Sequence, residues 1–119
     1  MIDRRQIKRE YKKQIRPAGI YAVVNNQDKK IFIGKTRNPD NVVKRLIFEL
    51  DRATHPYKNM VNDYERIGKK YFDIKICNTL DIKKLEEDEI EEKLDELYLK
   101  QREIFDSENF QFYNKYPGH

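Results

Sequence analysis

Residues 19–34, GIYAVVNNQDKKIFIG, restrict the fold more than any other stretch of the chain. Ile20, Ala22 and Val24 alternate with Tyr21 and Val23, and Ile31 and Ile33 flank Phe32. Side chains alternate between the two faces of a strand, so both runs read as strands. Between them stands a wholly polar segment, Asn25 to Lys30. Asn and Asp tolerate the left-handed backbone that tight turns need, so the stretch predicts a β-hairpin, and its strands must be antiparallel.

The rest of the chain supplies segments to pack on that hairpin. Asp3 with Gln6 resembles a capping box for a helix from Arg4 to about Ile15, with Ile7, Tyr11 and Ile15 as a narrow apolar stripe. Pro17 and Gly19 end it. After the hairpin, Asn38 and Pro39 suit the start of a helix reaching about Ala53, with Val42, Val43, Leu46, Ile47 and Leu50 inward. A helix from Pro56 to about Ile67 is followed by a strand in which Phe72, Ile74 and Ile76 alternate with Asp73 and Lys75. Asp81 suits the cap of a last long helix with the stripe Ile90, Leu94, Leu97, Gln101 and Ile104. The aromatic tail Phe110 to Asn114 is expected to pack back on the domain. The order α-β-β-α-α-β-α predicts a small α/β domain: a three-stranded, mainly antiparallel sheet flanked by helices, with an N-terminal basic helix at 1–16 and the domain proper at 17–115.

Composition narrows the setting. At 119 residues, one domain with one modest core is expected. Fourteen aromatics argue against disorder. No apolar run approaches a membrane span and no signal sequence opens the chain, so a cytoplasmic protein without membrane contact is expected. The lone Cys77 excludes a disulfide framework or a thiolate metal cage, and reads as a small core hydrophobe. The charge is uneven. Residues 1–16 carry seven cations against two carboxylates, whereas residues 86–96 carry eight carboxylates against Lys93. A basic patch attracts phosphate backbones, although solvated helix faces account equally well for both runs.

Several side chains could carry chemistry. A strand Tyr such as Tyr21 usually serves packing, but a phenol becomes a base where nearby cations favour the phenolate. Lys35 and Arg45 could supply that field. Lys35, Arg37, Lys44, Arg45 and Arg52 follow Gly34 closely and suit phosphate contacts. His55 lacks any ligand spacing and reads as a loop residue with a possible phosphate contact. The acidic run 86–96 reads as a solvated face, and no metal-binding set is assigned. No zinc spacing, P-loop, dinucleotide glycine pattern or serine elbow is present.

Gly19-Ile20-Tyr21 and Phe32-Ile33-Gly34 resemble the two signatures of the GIY-YIG nuclease family, small α/β domains with both motifs on adjacent strands. Lys35 to Asn38, His55, the Asn62-Asp63-Tyr64 segment with Gly68, the strand at 72–80 and the terminal Tyr113-Asn114 fall in the family's order, so the resemblance spans roughly residues 17–115. It implies Tyr21 as general base. The second signature's Tyr falls on Phe32, which lacks the hydroxyl. The helix Arg falls on Val42, with Arg45 able to substitute from the next turn. The metal-binding Glu falls on Tyr98, with Asp95, Glu96 or Glu103 the nearby alternatives. The family uses one Mg²⁺ or Mn²⁺, which would be needed here only if the chain is active.

Three functions follow as expectations. The first is a nucleic-acid-binding module, most naturally for DNA, built on a disused catalytic site. The second is a metal-dependent endonuclease using Tyr21 and Arg45. The third is a protein-interaction or regulatory module, in which the acidic helix meets a basic partner or the basic segment of another copy in a homodimer.

Overall fold

The computed structural model describes residues 17–114. The helix expected at 4–15 lies outside the described residues. The described elements are β1 (Ala18–Asn25), β2 (Lys30–Thr36), α1 (Pro39–Asp51), α2 (Lys58–Ile67), a 3₁₀ turn (Lys69–Tyr71), β3 (Phe72–Leu80), α3 (Glu87–Ser107) and β4 (Gln111–Phe112).

The hairpin forms as its alternation requires. β1 and β2 run antiparallel with Ala22 opposite Ile33 and Val23 opposite Phe32. Asn25 closes the turn: its Oδ1 accepts the N–H groups of Gln27 and Asp28, both at 3.0 Å. Lys29 takes the left-handed conformation there. β3 pairs antiparallel with the other edge of β1, with a register shift between Ile20 and Tyr21.

The sheet has four strands, not three, in the order β3-β1-β2-β4. The additional strand β4 is only two residues long and runs parallel to β2, opposite Lys30 and Ile31. Two residues carry no readable periodicity, so the tail's packing was legible and its pairing was not.

Strand alternation divides the core into two layers. Ile20, Ala22, Val24, Ile31 and Ile33 face α3, where they meet Ile90, Leu94, Tyr98 and Phe105. Tyr21, Val23 and Phe32 face α1 and α2, where they meet Val42, Leu46, Leu50, Met60, Val61 and Tyr64. β1 lies centrally with both faces covered, which is why all eight of its residues are buried.

Three packing details correct the sequence reading. Ile47 is 42% exposed, because α1 buries the i, i+4, i+8 row Val42, Leu46 and Leu50 and turns Ile47 away. The buried stripe of α3 runs Ile90, Leu94, Tyr98 and Phe105, leaving Ile104 exposed and Leu97 half-buried. The two larger aromatics fill the layer that the smaller side chains were expected to fill. Asp81 does not cap α3. Its Oδ1 accepts the Lys83 N–H in a turn, Ile82 is buried, and α3 begins six residues later at Glu87. The chain must first pass from an edge strand to the opposite face of the sheet. Cys77 is half-buried against the α3 layer, and burial pushes its thiol up.

No helix among the described residues is long and apolar enough to cross a membrane.

Candidate functional site

The site lies where the sheet edge opens. β4 covers β2 only as far as Ile31. Asn114 then takes over: its Oδ1 accepts the Ile33 N–H at 3.2 Å and its Nδ2 donates to the Ile33 carbonyl at 2.6 Å. One side-chain amide thus stands in for a strand partner and ends the pairing. Past Ile33, no described strand continues along this edge of β2.

At that opening two glycines permit contacts that no other residue would. Tyr21 stands opposite Gly34, and its ring lies across it. A Cβ on Gly34 would come within 2.4 Å of both the Tyr21 hydroxyl and Cζ. A Cβ on Gly19 would meet the Asn78 carbonyl at 2.7 Å and Pro39 Cγ at 3.2 Å. Gly19 therefore lets β3 and the start of α1 close around the end of β1, while Gly34 lets the Tyr21 ring reach the edge of the sheet.

A cavity of about 250 Å³ is lined there by Tyr21, Lys35, Thr36, Arg37, Glu91 and Leu94. Three predicted site residues, Tyr21, Lys35 and Arg37, therefore meet in one place. α3 supplies the facing wall. Arg37 Nη2 donates to Glu87 Oε2 at 2.7 Å and to Glu91 Oε1 at 2.8 Å, and Lys35 Nζ to Asp95 Oδ1 at 2.5 Å. These ion pairs hold the Arg37 guanidinium firmly protonated.

The Tyr21 phenol is only 8% exposed. Burial pushes it above its ordinary value, Arg45 pulls it partly back, and Glu49 pushes it up again. In this arrangement the phenol keeps its proton and donates or accepts hydrogen bonds as a neutral group. Arg45 acts on it through its field, while its Nε lies 3.4 Å from Glu49 Oε1 one turn on.

The positions to which the resemblance assigns the second Tyr, the helix Arg and the metal-binding Glu hold packing side chains. Phe32 is buried, stacked with Tyr21 at 6.1 Å between centroids and edge-on to His55 at 5.3 Å and Tyr57 at 4.9 Å. Val42 is buried on the sheet-facing side of α1. Tyr98 is buried in the α3 layer, where its hydroxyl accepts from Arg102 Nη1 at 3.3 Å. Among the alternatives for the carboxylate, Asp95 reaches Lys35, Glu103 lines a different groove with Arg102 and Phe112, and Glu96 is exposed.

The remaining predicted contacts scatter. Lys44 is exposed on α1, and the Arg52 guanidinium stacks 4.3 Å above the Phe48 ring. His55 is 6% exposed, and its Nδ1 accepts the Tyr57 N–H at 3.1 Å. Burial pushes its imidazole below the usual value, so it is neutral at pH 7.

Sequence reasoning missed Glu87 and Glu91. Glu87, Glu91 and Asp95 share an i, i+4, i+8 row beside the buried Ile90, Leu94 and Tyr98, which marks them as neighbours of the sheet. The fit to a divalent cation is poor. Glu91 is the one carboxylate lining the cavity, Arg37 already holds it, and no cluster of three or more ligating side chains occurs among the described residues.

No family model, curated protein or solved structure matches this chain.

Proposed function

We propose that this chain binds the phosphodiester backbone of nucleic acid, DNA foremost, on a GIY-YIG-like scaffold that does not cleave it efficiently. The observation carrying the reading is the convergence of Tyr21, Lys35, Thr36 and Arg37 on one open-edged cavity. Arg and Lys bind phosphate oxygens through charge-assisted hydrogen bonds, and hydroxyls add neutral ones. None of these contacts reads a base, so the binding is expected to be indifferent to sequence.

The weakness of catalysis follows from what surrounds the phenol. Phe32 and Val42 bring neither a hydroxyl nor a charge, and burial keeps Tyr21 protonated. Loss of one positioned electrostatic group typically costs about 3–4 kcal/mol of transition-state stabilisation.

Fluorescence anisotropy with labelled 20-mer duplex and single-stranded DNA tests the reading. Binding should weaken steeply with salt, and Lys35→Ala with Arg37→Ala should reduce the slope of log K against log salt by roughly 1.5 units. Binding unaffected by the double substitution would place the nucleic acid elsewhere and refute this site.

Glu91 favours a second reading, a nuclease in which Tyr21 and Glu91 share the cavity. Nicking of supercoiled plasmid with Mg²⁺ or Mn²⁺, abolished separately by Tyr21→Phe and Glu91→Gln, would establish it over the first.

A further inference from the structure

We infer that the inner row of α3 is a built-in competitor for nucleic acid: Glu87, Glu91 and Asp95 sit on the cations that would hold phosphates. The inference rests on the proposed phosphodiester site and adds its regulation.

The row's spacing is the first support. Residues four apart on a helix are stacked on one face, about 6 Å apart along the axis. Carboxylates at 87, 91 and 95 therefore present negative charges at regular intervals to the open edge of β2. Arg37 engages two of them and Lys35 the third. A guanidinium donates to carboxylate and to phosphate in the same forked geometry, so the two compete for one donor set.

Exposure gives the direction of the contact. The Lys35 and Arg37 side chains are 24% and 37% exposed, whereas Asp95, Glu91 and Glu87 are 52%, 56% and 82% exposed. The cations are the less exposed partners and the carboxylates the more exposed ones. Such exposed pairs are individually weak, so an incoming strand can displace them.

Acidic residues in a first helical turn also favour the helix dipole, which accounts for Glu87, Asp88 and Glu89. The dipole effect falls off within that turn and does not explain Asp95 two turns further on. Competition of this kind sets a threshold. A single phosphate gains too little to open both pairs, while a strand offering successive phosphates opens them together.

The test compares two charge-matched variants of the full chain. Glu87→Gln with Glu91→Gln and Asp95→Asn removes the competitor. Glu89→Gln with Glu92→Gln and Glu96→Gln removes the same charge from exposed positions of α3 that make no ion pair among the described residues. By anisotropy with the 20-mer, the first should bind roughly tenfold tighter than the second at low salt, with a steeper salt dependence. Equal affinities for the two variants would overturn the inference while leaving the site intact. Absence of binding by all the proteins, or binding that ignores Lys35→Ala with Arg37→Ala, would instead overturn the site reading beneath it. If the triple variant does not fold, Glu91→Gln against Glu92→Gln asks the same question, with roughly a twofold difference expected from one pair.

Discussion

Replacing Asn114 by Ala should destabilise the domain far more than its place in a short segment after α3 suggests. Asn114 and Ile33 are both fully buried. The Asn114 amide accepts the Ile33 N–H and donates to the Ile33 carbonyl. Truncation leaves both backbone groups without that partner where water does not reach. Each such loss costs about 1–3 kcal/mol, so the pair amounts to roughly 2–6 kcal/mol. For a domain of this size about 3 kcal/mol corresponds to a Tm lowered by roughly 12–24 °C. Urea unfolding is the better assay, because a lower midpoint at unchanged slope isolates stability from changes in the unfolded state. Asn114→Asp sharpens the argument. It keeps an acceptor for the Ile33 N–H but sets a carboxylate oxygen against the Ile33 carbonyl, and should be at least as damaging. A loss below about 1 kcal/mol for Asn114→Ala, with the slope unchanged, would refute the idea that this side chain replaces a strand at the edge of β2.

Two further predictions concern the surroundings of the cavity. Gly34→Ala drives its new Cβ into the Tyr21 ring and should cost roughly 1–3 kcal/mol. In a Tyr21→Ala background the same change should be nearly free, and an equal cost in both backgrounds would show that the ring is not the obstacle. Burial holds the His55 imidazole below its ordinary value of 6.5, so the unfolded chain takes up that proton first as pH falls. The stability associated with a neutral His55 is full above about 6.5 and is lost as pH drops through the lower folded value. An NMR titration midpoint for His55 at or above 6.5 would contradict this, and His55→Gln should flatten the stability profile between pH 7 and 5.

Much of the fold was legible because alternation and helical spacing are local properties. The hairpin, its polar turn, the start of α1 at Pro39 and the strand at 72–80 each follow from a few consecutive residues. The meeting of Tyr21 with Lys35 and Arg37 was not legible in this way, because Lys35 stands opposite Ile20 on the α3 face whereas Tyr21 belongs to the other layer. The rotated stripe of α3 was harder. Leu97 with Ile104 and Tyr98 with Phe105 are both seven apart and fit a helical period equally well. Packing against the sheet, which local spacing does not contain, selects between them.

The sequence by itself determined which residues alternate, where the chain turns, and that strong positive and negative runs coexist. Tertiary structure alone decided what the negative run meets. Arg37 and Glu91 are separated by 54 positions, and Lys35 and Asp95 by 60, so no local rule links them. They meet because β2 and α3 pack against one another through Ile31, Ile33, Leu94 and Tyr98. Burial of those apolar side chains fixes the helix at the sheet edge, and the acidic row is carried onto the basic one.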